Sequence, residues 1–305
     1  MRKGFLGTGI LLIAVFASVY LFIPSRLIIS EKGIAKCSLP AAKRLVFDGS
    51  NWQAWKRADS LSEDAYSHQL TNTFYSKTDV IISNKNESWQ TVLMLVPFGI
   101  DSIGVEWKDA IATGNNPFTR ITRYNKARRL KKHMDSLISQ LLGFLNNKDN
   151  IYSTHIFKEQ LADRPLLTRR IVLERYPTAD DAYNLINTLK LYAKQSGDSA
   201  TGPAMKYSSP LDSLTHELIV AIPTSKTLKG TNEFIIKNLV GGNLIATEIR
   251  GGEGSIQIGW NGIRAYKADY QLSSPAIPFE SMITDRTKEP DTSKWITRIY
   301  YPVRI

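Results

Sequence analysis

The stretch AIPFESMITDRTKEPDTSKWITRIYYPV, residues 276 to 303, reads as a β-hairpin and decides how the second half of the chain is built. Pro278 opens a first strand, and Asp285 to Lys294 is a polar turn containing Pro290. Trp295 to Val303 is a second strand of β-branched and aromatic residues, ended by Pro302. One carboxylate, Glu280, stands in the middle of an otherwise apolar strand. Side chains alternate along a strand, so Glu280 and Met282 share a face. Such a Glu lies on a solvated face, pairs across the hairpin with Arg298, or is held in a cleft, and the rest of the chain must choose.

Working outward, the hairpin closes a unit that occurs twice after about Asn150. In the first copy RRIVLERYP is a strand, and Thr178 caps a helix with Asp181 at the third position. Ala182, Leu185, Ile186, Leu189, Tyr192 and Ala193 form the buried stripe of that helix. Gly202-Pro203 then leads to the strands AMKYSS and THELIVAIPT. The second copy runs NLIATEIRG, then Gly251-Gly252-Glu253-Gly254 before a helix with Ile256, Trp260, Ile263 and Tyr270, then FESMITD and WITRIYYPV. Both copies end in two apolar residues and a proline, Ala221-Ile222-Pro223 and Tyr300-Tyr301-Pro302. Two strand-helix-hairpin units of this kind pair around a pseudo-twofold with a cleft between them. Aligned on this repeat, Met205 and Tyr207 are the counterparts of Glu280 and Met282, so these four residues are expected to face one cleft.

From about Arg26 to Lys148 the chain reads as a separate α+β domain. RLIISEKGIAKCSL is a strand, and Pro40 begins a helical passage broken at Asp48-Gly49-Ser50 and carrying Trp52 and Trp55. HQLTNTFY, TDVIISN, SWQTVLMLV and DSIGVEWKDAI are antiparallel strands joined by polar or Gly-containing turns. A long helix from about Arg123 to Asn147 closes the domain, its buried face marked by Leu130, Met134, Leu137, Ile138, Leu141, Leu142 and Leu145.

Residues 4 to 23 carry no charge and follow Met-Arg-Lys, which predicts an uncleaved, single-pass membrane anchor over residues 1–25. Positive residues on both sides, Arg2 and Lys3 against Arg26, Lys32 and Lys36, leave the side of the soluble part open. The chain has 305 residues, with 39 Lys and Arg against 28 Asp and Glu, a net charge of +11 that suits an anionic partner surface. Arg120, Arg123, Lys126, Arg128, Arg129, Lys131 and Lys132 form a basic run with no nucleic-acid recognition motif beside it, and it reads as a solvated helix face near the membrane. Cys37 stands alone, so an intrachain disulfide and a Cys-rich metal site are excluded. No cofactor motif is present, and the oligomeric state stays open.

The passage LPAAKRLVFDGSNWQAW, with its small helix and its Asp-Gly-Ser-Asn-Trp-Gln-Ala-Trp, makes residues 26–148 resemble the START-like family, also called SRPBCC or polyketide cyclase-like. That resemblance implies a helix-grip sheet around an apolar cavity. Residues 149–305 resemble the GyrI-like small-molecule-binding domain, the effector module of AraC-type and MerR-type regulators, through Gly202-Pro203 with Tyr207 and the closing Phe279-Glu280 and Pro302-Val303. In that family the Glu at the place of Glu280 sits in an aromatic-lined cleft and pairs with cationic ligands. The candidate binding residues are therefore Glu280, Met282, Met205, Tyr207, Trp260, Tyr176 and Tyr300. The chemistry agrees with the carry-over: desolvation of a buried carboxylate is offset by a bound cation, and each aromatic wall adds about 0.5 to 2 kcal/mol.

The expectation is thus a membrane-tethered module that binds a hydrophobic, cationic small molecule. A hydrolase of cyclopropanoid compounds using Glu280 as a base is the rival, as some relatives of the duplicated unit act this way. Against it, His68, His133, His155 and His216 are scattered in the sequence, and no catalytic motif accompanies them. A membrane adaptor without any ligand is the third reading.

Overall fold

Alternating apolar residues over short runs make strands that need a partner layer, and both halves of this chain supply one with amphipathic helices. The structure, a computed structural model, describes residues 16–57, 66–239 and 241–304. The chain up to Asn147 forms one compact unit and the chain from Lys148 another.

In the first unit the elements are β1 (Arg26–Ala35), α1 (Leu39–Val46), a 3-10 turn (Gly49–Ala54), β2 (Ser67–Thr73), β3 (Lys77–Ser83), β4 (Ser88–Pro97), β5 (Ile103–Ala112) and α2 (Pro117–Leu145). The strands form one antiparallel sheet in the order β1-β5-β4-β3-β2. Leu130, Met134, Leu137 and Leu141 of α2 are fully buried, as are Leu93, Leu95 and Trp107 of the sheet. Trp52 packs 5.0 Å from Trp55 and 6.0 Å from Trp107, measured between ring centroids. Each indole finds an acceptor: Trp52 Nε1 donates to the Val46 carbonyl at 2.8 Å and Trp107 Nε1 to Thr91 Oγ1 at 2.7 Å.

Helix α2 starts at Pro117, six residues before the expected Arg123. The reason is local: the side chain of Asn116 accepts from the amides of Phe118 and Thr119, and Pro117 loses no hydrogen bond in the first turn. The apolar residues of those first turns, Phe118 and Ile121, stay exposed. The basic run on this helix is mostly exposed, with one departure. Arg120 is buried, its guanidinium 4.6 Å over the Tyr20 ring, and Lys126 and Lys131 pair with Glu87 and Glu31. Arg123, Arg128, Arg129, Lys131 and Lys132 remain exposed, as a solvated face requires. Residues 16–22 are helical, and residues 1–15 of the expected anchor lie outside the described residues. Among the described residues no helix is long and apolar enough to cross a membrane.

The second unit contains α3 (Lys148–Tyr152), β6 (Ile156–Leu161), β7 (Arg164–Leu173), α4 (Ala179–Gln195), β8 (Ala204–Pro210), β9 (His216–Pro223), β10 (Ile235–Leu239), β11 (Gly242–Arg250), α5 (Glu253–Asp269), β12 (Phe279–Met282) and β13 (Ile296–Pro302). All eight strands join one antiparallel sheet in the order β10-β7-β9-β8-β12-β13-β11-β6. The two strand-helix-hairpin copies meet at β8 and β12. The strand that leads each copy is exchanged: β6 precedes the first copy but pairs with β11, while β10 precedes the second and pairs with β7. Neither β6 nor β10 is legible in the sequence, since both are short edge strands with charged or amide residues among the apolar ones.

Helix α4 packs Ala182, Leu185, Ile186 and Leu189 against Leu167, Leu218, Val220 and Ile222 of β7 and β9. Helix α5 brings Gly259 against Ile249 and Ile299 on the same face of the sheet. Both helices thus cover one side, and the other side of the sheet carries its own apolar cluster of Leu244, Ala246, Phe279 and Tyr300.

Candidate functional site

Register at the centre of the sheet determines where each candidate side chain goes. Glu280 stands opposite Lys206 on one neighbour and Ile299 on the other, while Ser281 stands opposite Met205 and Phe279 opposite Tyr300. Residues directly opposite share a face. Glu280, Met282 and Lys206 therefore point to the helix side, and Met205, Tyr207, Phe279 and Tyr300 point to the open side.

This corrects the expectation that Glu280, Met282, Met205 and Tyr207 share one cleft. With Pro223 and Pro302 in equivalent places, the ladders make Met205 the counterpart of Phe279 and Lys206 that of Glu280. The repeat read from sequence was one residue out of step at this strand, and a slip of one residue moves every side chain to the other face.

On the helix side Glu280 is 7% exposed. Trp260 Nε1 of α5 donates to its Oε1 at 2.9 Å, and the Lys206 ammonium lies 3.1 Å from its Oε2. The Lys206 side chain is nearly as buried as its partner. Met282 joins the core under α4. The desolvation cost of the carboxylate is therefore offset within the chain itself, by an ammonium from the other copy. Arg298 does not take part, for it pairs with Glu248 at 2.7 Å.

On the open side lies a pocket of about 900 Å³, at the upper end of the range for small-molecule sites. Met205, Tyr207, Ile219, Leu244 and Phe279 contribute to its walls, and Lys237, Asn238, Asn243 and Arg304 contribute its polar groups. Tyr300 lies beneath this face, and burial raises the pKa of its hydroxyl, which hydrogen bonds with Arg298 and Glu159. Glu159 stands opposite Leu244 and so also faces the open side. Tyr176 belongs to neither place: it is exposed and meets the edge of His216 at 5.6 Å. Sequence reasoning missed Phe279, Lys206 and Lys237. Phe279 was within reach, because strict alternation about Glu280 puts it on the opposite face.

The histidines are not all scattered. His68 Nε2 and His133 Nε2 lie 2.9 Å apart in the first unit, with Lys56 Nζ 2.9 Å from His68 Nδ1. Tyr66 stacks on His133 at 4.2 Å. Burial first, then Lys56 and His133, push the pKa of His68 down to about 3, so its ring is neutral near pH 7. Among the described residues no group of three or more His, Cys, Asp or Glu side chains is placed to hold a metal ion.

The sequence matches no family of known proteins, and no curated protein is similar to it. Solved structures similar to the chain include the EcmrR C-terminal domain, with 14% identity over 50% of this chain and 98% of that one and a TM-score of 0.43. SAV2435 bound to tetraphenylphosphonium matches with 16% identity over 49% of this chain and 94% of that one, at a TM-score of 0.33. A hydrolase from Listeria innocua matches with 8% identity over 50% and 92%, at a TM-score of 0.38.

Proposed function

We propose that the second unit is a binding module for a hydrophobic small molecule, held in the pocket on the open face of its sheet. The observation that carries this reading is the apolar concavity itself, walled by Met205, Tyr207, Leu244 and Phe279 from both copies of the repeat. An apolar surface of this size left in water is unfavourable unless something covers it. The duplicated architecture supports a GyrI-like module, and the sheet with its long closing helix in the first unit supports a START-like one. Titration with the neutral fluorophore N-phenyl-1-naphthylamine tests the reading. Saturable binding is expected, with Met205→Glu weakening it tenfold or more by placing a charge in the wall. Unchanged affinity in that variant places the ligand elsewhere.

A hydrophobic cation held at Glu280 is the second reading, favoured by the buried carboxylate between Trp260 and the core under α4. The cation must displace Lys206 to reach it. Glu280→Gln should then weaken tetraphenylphosphonium binding at least tenfold while leaving neutral ligands unaffected; equal affinities for the cation end this reading.

Tethering to a membrane through residues 4–23 is also proposed, on the uncharged run alone. Full-length protein should sediment with membranes, and protein beginning at Pro24 should remain in solution. The cut must precede Arg26, because β1 starts there and fills the edge of the first sheet. Retention of the shortened protein on membranes after a high-salt wash would assign attachment to another surface.

A further inference from the structure

The charge arrangement around the pocket differs from the one the cation reading requires. Among the described residues no carboxylate lines it, whereas Lys237 and Arg304 both do; Lys206 also borders it, with its ammonium paired to Glu280. Lys237 stands opposite Leu166, a wall residue, so its side chain rises on the pocket side of the sheet. Among the described residues neither cation has an ion-pair partner. Nearby carboxylates are engaged elsewhere. Glu159, on the same face, shares a hydrogen bond with the Tyr300 hydroxyl. Glu280 points to the opposite face and is neutralised by Lys206.

An apolar wall ending in unpaired positive groups is complementary to a molecule with an apolar body and one negative end. We propose that this pocket takes an amphipathic anion, with its chain or ring against Met205, Tyr207, Leu244 and Phe279 and its carboxylate, sulfonate or phosphate at Lys237 and Arg304. The proposal rests on the pocket being a binding site, and it adds the sign of the ligand's charge. The net charge of +11 acts in the same direction by raising the local concentration of anions. Because both cations are exposed to water, they contribute selectivity and salt dependence more than raw affinity.

Three probes with the same ten-carbon chain separate the possibilities: decanoate, decanol and decyltrimethylammonium, titrated by calorimetry into the full-length protein. Decanoate should bind about tenfold more tightly than decanol, the cation should bind most weakly, and added salt should erode only the preference for decanoate. Lys237→Met should bring the decanoate-to-decanol ratio towards one, and Arg304→Gln offers the same readout if the first variant is poorly folded. Equal affinities for all three probes would overturn the anion assignment while leaving a hydrophobic binding site in place. Binding of none would overturn both. Preference for the ammonium probe would return the site to Glu280. Displacement of decanoate by phosphatidylglycerol vesicles, but not by phosphatidylcholine vesicles, identifies a lipid headgroup as the source of the anion. Failure of both to displace it identifies a free one.

Discussion

At the strands beside the pseudo-twofold axis the first copy of the repeat places Lys206 and the second Glu280. On the exchanged edge strands the signs are reversed, because Glu159 of β6 stands opposite Leu244 and Lys237 of β10 stands opposite Leu166, its counterpart. Duplication gives two copies the same backbone, but residues that meet across the axis meet their own equivalents. Had the copies stayed identical there, two ammonium groups or two carboxylates would face each other in a buried sheet, which costs heavily. Divergence in sign converts that clash into an ion pair. The helices show a second contrast. Both have seventeen residues, yet α4 begins with Thr178 in a capping box and α5 with Gly252, which supplies no side-chain cap. Helix α5 carries Gly259 and Gly262 where α4 has Leu185 and Thr188. A β-carbon at Gly262 would lie 2.3 Å from the Tyr152 carbonyl oxygen of α3.

The largest effect should come from breaking the pair at the axis. Lys206→Met leaves Glu280 buried without its cation and should cost about 3 to 5 kcal/mol in urea unfolding, with Lys206→Met/Glu280→Gln recovering most of the loss. Glu280→Gln alone should also destabilise, because it strands the ammonium. A loss below about 1 kcal/mol for Lys206→Met would mean that the two charges are solvated, as surface pairs are worth no more than that.

A control for this comparison is a half-buried base, His68, whose contacts among the described residues include no carboxylate. Its folded pKa lies below its unfolded value, so the unfolded chain binds an extra proton between roughly pH 6.5 and 3. Stability of the first unit should therefore be full above pH 6.5 and fall as the pH drops through that window. Allowing for partial exposure, the loss should reach about 2 kcal/mol, and His68→Gln should flatten the dependence. A pH-independent urea midpoint between 7 and 4 would remove the burial argument.

Smaller effects sharpen the contrast between the helices. Gly262→Ala should cost about 1 to 3 kcal/mol, because the obstructing atom is backbone and cannot rotate away. Wild-type stability in that variant would show that α3 is free to move. Thr178→Ala should cost about 1 kcal/mol by removing the capping box. Gly252→Ser should gain a few tenths of a kcal/mol by supplying the missing cap, since the nearest atom to a β-carbon there is 3.5 Å away. Thermal unfolding resolves the signs of both.

What the sequence by itself determined is whatever depends on neighbours along the chain. The strands flanking Pro223 and Pro302 follow from local patterning, as do the cap at Thr178, the hairpin over 276 to 303 and the existence of two copies. Even the late reading of α2 was a local failure, because Asn116 and Pro117 are visible in the sequence. Only the tertiary structure decided which side of the sheet each candidate occupies. That depends on register between β8 and β12, strands whose paired residues lie more than seventy positions apart in the chain, and a slip of one residue there is invisible to periodicity yet reverses every face. The exchange of β6 and β10, the meeting of His68 with His133 and the pairing of Lys206 with Glu280 belong to the same class. Each is fixed by long-range backbone pairing, whose energy no window of sequence contains.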